Sequence, residues 1–411
     1  MSVVVPMKNK VFSRYEIFII AILTIVQFTV VLDFMVLSPL GAILMPELSI
    51  TPAQFGMVVS AYAFSAGASG LLAAGFADKF DRKKLLLFFY AGFIIGTTMC
   101  ALAPDYNSLL FARIVTGIFG GVMSSVSFAI ITDIFRLEVR GRVMGFVQMA
   151  FASSQVLGIP IGLYFAGKIG WHFPFVMIVA ISIAVAILII IFMKPIDQHL
   201  DSAPKINPFQ HLLKTISRPF YLRAFAATTL LATGGFMLMP FASAFSVYNL
   251  GIEVTEQLPL LYMLTGVFSM VTGPLIGKFS DQAGKYNIFV IGSVITMIVV
   301  PVYCNLGVSS FWLVLVLNIV MFAGVSSRII SSSALLTAVP TPQDRGAFMS
   351  INSSIQQISG GIATFIAGLI VIQTNDGKLV HYDTLGYVVV GAMLITIIMM
   401  YSIHLHVEKK K

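Results

Sequence analysis

The chain has little charge for its length. Of its 411 residues only 10% are Asp, Glu, Lys or Arg, whereas 58% are hydrophobic and the mean hydropathy is +0.95. A soluble globule of this size could not bury so much apolar surface. The apolar runs are long enough for helices that cross a bilayer, and they lack the alternation of barrel strands. The sequence therefore predicts a polytopic, all-α membrane protein in contact with the lipid bilayer.

Cysteine is scarce, and the short motifs of enzymes are missing. Cys100 and Cys304 lie in apolar segments without a pairing pattern, which indicates small core residues rather than a disulfide or a metal site. There is no Walker loop, no H-E-x-x-H and no G-x-S-x-G. We therefore expect no enzyme activity, no cofactor and no metal. The first apolar run is also too long for a cleavable signal peptide, and it is predicted to be a membrane helix.

The few charges are sorted by loop. The 25 Lys and Arg outnumber the 17 Asp and Glu, for a net charge of +8, yet most of the basic residues fall in alternate loops and not in one patch. This is the pattern of the positive-inside rule and not of a nucleic-acid site. It predicts that both termini are cytoplasmic. We expect a monomer in a bacterial inner membrane, without a nucleic-acid partner.

Twelve membrane spans are predicted. They cover residues 17–45, 53–77, 85–104, 107–134, 143–167, 173–193, 222–249, 257–277, 286–306, 311–339, 347–372 and 384–404. One longer polar connector, 194–221, contains a short amphipathic helix after Pro208. It divides the chain into an N-terminal six-helix bundle, 1–193, and a C-terminal six-helix bundle, 222–411.

Short motifs recur at matching positions in the two halves. The matched pairs are Asp78 with Asp281, Arg82 with Lys285, and Arg140-Gly141 with Arg345-Gly346. The run from Phe34 to Pro39 in span one is also similar to the run from Phe236 to Pro240 in span seven. Duplication of a six-helix unit is typical of transporters whose halves rock about a site near the midplane.

These motifs resemble those of the major facilitator superfamily, and most closely those of its twelve-helix drug:proton antiporter branch. The loop after span two resembles G-x-x-x-D-[RK]-x-G-[RK]-[RK], with Ala74 and Asp81 where glycines are usual. Arg113 to Gly121 resembles R-x-x-x-G-x-x-G, and Gly170 to Phe175 resembles G-W-R-x-x-F. The antiporter motif of span five departs more, since Gly158 to Gly162 displaces the proline of G-P-x-x-G-G. The resemblance implies two pseudo-symmetric six-helix bundles in a major facilitator fold.

Asp33 is a carboxylate deep within span one, about 24 Å from Ile17 and about 20 Å from Pro46 at 1.5 Å per residue. Such a group costs about 2.5 to 3.5 kcal/mol on insertion scales, which indicates a functional side chain that faces a cavity or a partner. A permanent structural ion pair is the alternative. Because desolvation disfavours its charged form, Asp33 is a candidate for proton uptake and release.

The family resemblance favours coupling between Asp33 and Arg113. Arg113 lies only about 9 Å from the outer end of span four, however, and its side chain leans outward. A direct salt bridge therefore needs a kink, a shifted boundary or a bridging water. Alternatively, Arg113 binds backbone carbonyls freed by the glycines around it, and the sequence leaves this choice open.

A binding pocket for a small-molecule substrate is predicted between the halves. Arg328, about 25 Å from Phe311, either attracts an anionic or polar substrate there or is a structural arginine satisfied by carbonyls and nearby amides. The other pocket candidates mix apolar and hydrogen-bonding side chains. The full set is Gln27, Phe34, Gln148, Gln155, Phe236, Tyr248, Tyr262, Asn318, Arg328, Asn352 and Gln356.

A second group of charges lies at the predicted inner surface. Its members are Asp78, Arg82, Asp133, Arg140, Asp281, Lys285 and Arg345. The resemblance implies that they form a conformational latch between the halves, and solvated charges that only fix topology are the alternative.

The predicted function is that of a proton-coupled secondary transporter. It exports a small hydrophobic or amphipathic compound by alternating access, with protons as the coupling ion. The alternatives are a proton symporter that imports a small anionic nutrient, and a membrane sensor or scaffold that transports nothing.

Overall fold

Long helices dominate the structure, which is a computed structural model. It describes residues 12–73, 79–197, 208–341 and 344–409. At residues 137, 138 and 208–211 it describes the backbone alone. Within these ranges, eleven helical segments are long and apolar enough to cross a membrane. A twelfth, Arg345–Ile370, has the length but carries Ser, Asn and Gln along it. The predicted fold of two six-helix bundles is confirmed.

The helices follow one another in the same order in both halves. The first half contains α1 (Arg14–Val36), α2 (Gly41–Glu47), α3 (Pro52–Ala73), α4 (Arg82–Ala101), α5 (Tyr106–Ile134), α6 (Leu137–Ser153), α7 (Ile159–Ile169) and α8 (Phe173–Phe192). The connector contains α9 (Pro208–Ile216). The second half contains α10 (Pro219–Phe236), α11 (Ala242–Tyr248), α12 (Gln257–Ala283), α13 (Lys285–Cys304), α14 (Phe311–Thr337), α15 (Arg345–Ile370) and α16 (Tyr382–Glu408). A small antiparallel hairpin, β1 (Ile372–Gln373) and β2 (Leu379–Val380), joins α15 to α16.

Spans one and seven are interrupted at matching positions. α1 ends at Val36 and α2 begins at Gly41, with Pro39 in the turn between them. α10 ends at Phe236, and a 3-10 turn that contains Pro240 precedes α11. Proline has no amide hydrogen and its ring clashes with the preceding turn, so it interrupts a helix. The predicted spans 17–45 and 222–249 are therefore not continuous helices, and Asp33 lies in the last turn of α1.

Twelve crossings return the chain to the side on which it began. Arg14 and Glu408 therefore lie on one side of the bundle, here termed the terminal side, and the other is termed the opposite side. α1 and α10 both run from the terminal side to the opposite side, so their interruptions lie toward the opposite side.

The hydrogen bonds that the structure describes between the halves lie toward the opposite side. Three described hydrogen bonds cross there: Ser60 Oγ to Gly361 O at 2.8 Å, Ser243 Oγ to Ser38 O at 3.0 Å, and Tyr248 Oη to Ala42 O at 2.8 Å. Glycines let α3 and α15 approach closely as well, since a Cβ on Gly56 would lie 3.1 Å from the Thr364 carbonyl oxygen. These hydrogen bonds join the halves on the opposite side. The packing of α3 on α15 continues toward the terminal side, where a Cβ on Gly70 would lie 3.3 Å from the Ser354 hydroxyl oxygen.

Replacing Gly56 with Leu should open this junction. The added side chain cannot fit against the backbone of α15, so the conformation closed on the opposite side becomes less stable. We expect faster maleimide labelling of a cysteine placed at Ser243, which is fully buried, in a chain whose Cys100 and Cys304 are replaced by Ala. Gly391→Leu is the matched control, since a Cβ there meets nothing within 4 Å. Equal labelling in both variants would contradict this interpretation of the junction.

Candidate functional site

Asp33 and Arg113 form a buried ion pair inside the first half. Nη1 of Arg113 lies 2.7 Å from Oδ2 of Asp33, and the Thr97 hydroxyl donates to Oδ1 at 3.3 Å. The side chains of Asp33 and Arg113 are 0% and 1% exposed. α1 ends at Val36, whereas the predicted span one continues to residue 45. This is a shifted boundary, one of the conditions given above for a direct contact. The contact that the sequence left open is therefore present.

Polar and aromatic groups, rather than aliphatic ones alone, surround the pair. The guanidinium carbon of Arg113 lies 4.6 Å from the centroid of the Tyr62 ring, a cation–π distance. Nearby, Sγ of Cys100 lies 3.8 Å from the Thr116 hydroxyl. Nε of Arg113 has no hydrogen-bond partner among the described residues. One donor of the buried arginine is therefore left over, and the guanidinium can change partners without first breaking every bond.

The glycines of α5 hold Arg113 against α3. A Cβ on Gly117 would lie 2.5 Å from the Tyr62 carbonyl oxygen, and one on Gly120 would lie 2.8 Å from the Tyr62 hydroxyl oxygen. The glycines of the R-x-x-x-G-x-x-G motif therefore allow the close packing that brings Tyr62 under the guanidinium.

The start of α5 is capped outside the membrane. Asp105 accepts a hydrogen bond from the Ser108 amide at 2.9 Å, and the Ser108 hydroxyl donates to it as well. These bonds from the amide and the hydroxyl lower the pKa of Asp105. A charged cap at a helix N-terminus stabilises the first turn of the helix that carries Arg113.

Phe34 connects the ion pair to the second half. Its ring centroid lies 5.4 Å from that of Tyr62 and 6.0 Å from that of Phe236 in α10. Phe34 directly follows Asp33, and Phe236 ends α10. The contact between the halves is therefore one residue away from the carboxylate, and a shift of the end of α1 must move it.

The other predicted pocket residues differ in exposure and in hydrogen bonding. Gln148, Gln155, Tyr262, Asn318 and Gln356 are partly or fully exposed, on α6, the π-helical turn after it, α12, α14 and α15. Two others are engaged inside a half: the Gln27 amide donates to the Ser124 hydroxyl at 2.8 Å, and Asn352 accepts from the Thr228 hydroxyl at 2.6 Å.

Tyr248 does not lie with the other pocket candidates. It follows the interruption at Pro240, ends α11, and lines an open groove of about 750 Å³ on the opposite side. Its hydroxyl donates to the Ala42 carbonyl across the junction between the halves. Tyr248 lies there because it is one residue before the end of span seven, 222–249, which ends on the opposite side.

The predicted latch charges are paired mainly within the first half. Nε of Arg82 lies 2.8 Å from Oδ2 of Asp133, and Arg140 donates to the carbonyls of Phe135 and Thr132 at 2.8 and 2.5 Å, which caps the end of α5. Asp78 lies outside the described residues. The remaining members are Asp281, Lys285 and Arg345. They form no ion pair with the part of the chain that the structure describes.

Sequence reasoning missed Tyr62 and Thr97, which both contact the ion pair. Each is a polar residue within an apolar span, but many such residues only donate to the carbonyl four residues earlier, as Thr98 does at 2.7 Å. It also missed Asp344, which is buried at the start of α15 and accepts from Tyr221 and Thr341 at 2.9 Å each. No local sequence signal separates these residues from their neighbours.

Comparison with known proteins identifies the family. A family model described as Major Facilitator Superfamily matches residues 23–306 and 225–411. The chain belongs to the major facilitator superfamily. It is similar to the uncharacterized MFS-type transporter YceJ of Bacillus subtilis (strain 168), with 25% identity over 358 residues that cover 85% of this chain and 88% of YceJ. It is also similar to multidrug resistance protein 2 of the same organism, with 24% identity over 284 residues that cover 68% and 70% of the two chains.

Solved structures of superfamily members have the same fold. A bacterial homologue of the human lysosomal transporter Spinster, in an inward-facing and unoccupied conformation, superposes with a TM-score of 0.72 at 17% identity, covering 96% of this chain and 97% of that one. The inward open conformation of the xylose transporter XylE from E. coli superposes with a TM-score of 0.72 at 16% identity, covering 92% and 95%. At such identity the similarity shows the fold alone.

Proposed function

We propose that this superfamily member is a proton-coupled secondary transporter that exports a small hydrophobic or amphipathic compound. The observation that carries the proposal is the buried Asp33–Arg113 pair, whose neighbour Phe34 contacts Phe236 of the other half. An intramembrane ionisable residue with one adjacent partner is a candidate for a coupling site. The similarity to multidrug resistance protein 2 supports export rather than import.

The pair explains how a proton could change the conformation. In the ion pair Asp33 is deprotonated, and its charge holds Arg113 between α1 and α5. This attraction is strong because water is excluded from the site. Protonation of Asp33 removes it, and the guanidinium of Arg113 is then stabilised by other contacts, such as its cation–π contact with Tyr62. A shift of the end of α1 moves Phe34 against Phe236 and loosens the junction on the opposite side.

The transport cycle follows from this coupling. We assign the terminal side to the cytoplasm, and the deprotonated protein loads substrate there. The bundles 1–193 and 222–411 rock about the connector 194–221, and the site opens to the opposite side. A proton from that side displaces the substrate, and the protonated protein returns. One proton moving through 100 mV supplies about 2.3 kcal/mol, enough for roughly a 50-fold gradient of a neutral substrate.

The remaining predicted residues have supporting roles in this proposal. The latch charges Arg82, Asp133 and Arg140 lie on the terminal side, where they can meet their counterparts of the second half when that side closes. The exposed side chains Gln148 and Gln356 are proposed to contact substrate between the halves. The protein is proposed to act as a monomer in a bacterial inner membrane.

The proposal is tested by flux in proteoliposomes with the pH gradient imposed in each direction. A substrate is first found by a thermal-shift screen of small amphipathic compounds at two pH values, since a coupled ligand stabilises the protein in a pH-dependent way. We expect uphill movement of this compound against the direction of proton flow. Movement in the same direction as protons would instead support a symporter. A substrate flux that is independent of the pH gradient would refute proton coupling.

Import of an anionic nutrient is the second candidate. The observation that favours it is Arg328, a buried cation in the second half. The same flux measurement separates it from export, because the two candidates differ in the relative direction of substrate and proton.

A further inference from the structure

Arg328 is a buried cation without a hydrogen-bond partner at two of its nitrogens. The residue is 4% exposed, and both Nε and Nη2 lack a partner among the described residues. None of the ion pairs in the described ranges includes it. The structural alternative, in which carbonyls and amides satisfy it, is therefore not observed, and Asn352 bonds to Thr228 instead. A buried charge without partners is unfavourable for the protein alone.

The guanidinium lies behind a pair of glycines in α10. A Cβ on Gly234 would lie 3.4 Å from Nη1 and 3.7 Å from Nη2 of Arg328. The next residue, Gly235, is exposed, and a Cβ there would meet nothing within 4 Å. Phe236, which contacts Phe34 of the other half, follows immediately. Gly234 therefore packs directly against the guanidinium, and the open space at Gly235 lies one residue along the helix from this contact.

Two further neighbours of Arg328 are apolar. Its guanidinium carbon lies 5.8 Å from the centroid of the Phe289 ring in α13. The terminal carbon of Met393 in α16 lies 3.9 Å from the Cβ position of Gly234. A single cation with aromatic and thioether walls suits a ligand that has one negative charge and an apolar body.

We propose that Arg328 is a binding site for the carboxylate of an amphipathic monoanion. The planar guanidinium can donate two parallel hydrogen bonds to a carboxylate, and the pair is strongest where water is excluded. The carboxylate enters beside the exposed Gly235 and replaces the contact of Gly234 with the guanidinium, and Phe289 and Met393 contact the apolar body. The inference rests on the proposed function for the status of this ligand as a transported substrate.

Ligand binding to the purified full chain in detergent tests the proposal. The probes are benzoate, phenylacetate and 4-phenylbutyrate, each compared with its primary amide at equal concentration. We expect the carboxylates to raise the melting temperature of the wild type more than the amides do. Arg328→Gln should abolish this difference, and Arg328→Lys should keep part of it. Arg223→Gln, which removes an exposed arginine outside the candidate sites, should keep all of it.

A second measurement separates binding from a purely structural role. Without ligand, Arg328→Met should melt at a temperature equal to or higher than the wild type, because it replaces an unpaired buried charge by an apolar side chain of similar length. A structural arginine would give a lower melting temperature. An equal effect of carboxylates and amides on the wild type, or a preference that survives in Arg328→Gln, would overturn the proposal.

This test is independent of proton coupling, since it uses no gradient. Carboxylate binding that depends on Arg328, combined with substrate flux that is independent of the pH gradient, would support this inference and refute the proposed function. Proton-coupled flux of a substrate that does not depend on Arg328 would do the reverse.

Discussion

Asp33→Asn is expected to abolish uphill transport while leaving the protein folded. Asn has nearly the same shape as Asp and can still accept a hydrogen bond from Thr97 or Arg113, but it cannot exchange a proton in the physiological range. Net transport driven by a pH gradient should fall to the background of empty liposomes. Counterflow, which exchanges labelled for unlabelled substrate without net proton movement, should continue at a reduced rate, because the neutral side chain resembles the protonated form that releases substrate.

The control for this variant is Asp105→Asn. Asp105 is an exposed acid at the start of α5, and Asn is an equally good helix cap, so this change should affect neither flux nor counterflow. Uphill transport by Asp33→Asn at the wild-type rate would assign the buried pair a structural role only. Loss of counterflow as well would mean that the carboxylate is needed for the conformational change itself.

Arg113→Met is expected to destabilise the protein strongly. It leaves Asp33 buried with Thr97 as its one remaining described hydrogen-bond partner. Removal of one member of a buried pair costs about 3 to 5 kcal/mol, whereas replacement of both members by neutral groups is often nearly neutral. The double variant Asp33→Asn, Arg113→Met should therefore recover most of the lost stability. Unfolding followed by denaturant titration in detergent gives both values.

The destabilisation should also depend on pH. A protonated Asp33 needs no counter-charge, so the penalty in Arg113→Met should shrink as the pH falls. The double variant has no carboxylate at this site, and its stability relative to the wild type should not show this pH dependence. Arg345→Met, at an exposed arginine, is the matched control and should cost little. Equal stability of Arg113→Met and the wild type at neutral pH would show that the ion pair contributes nothing.

The sequence predicted the architecture because hydropathy and charge act on whole segments. Twenty apolar residues between charged loops leave few alternatives to a membrane helix. The local geometry was harder, since Pro39 and Pro240 could have kinked a continuous helix or ended it. Their interruptions decide the position of Asp33, which a straight helix would place deeper.

The partners of the candidate site could not be predicted for a related reason. Whether Arg113 reaches Asp33 depends on a few ångströms of helix position, which glycine contacts such as that of Gly117 with α3 determine. The surroundings of Arg328 could not be predicted for the same reason. Its depth follows from residue spacing, but the absence of partners at its Nε and Nη2 among the described residues depends on the packing of α10, α13 and α14.

Proton movement that accompanies substrate flux tests the central claim most directly. Proteoliposomes that contain the wild type and an internal pH indicator, without an imposed pH gradient, receive an outward substrate gradient. We predict that substrate efflux acidifies the interior in the wild type, and that no pH change accompanies substrate exchange by Asp33→Asn. Substrate efflux from wild-type liposomes at constant internal pH, or equal acidification by Asp33→Asn, would contradict the assignment of Asp33 as the site of proton coupling.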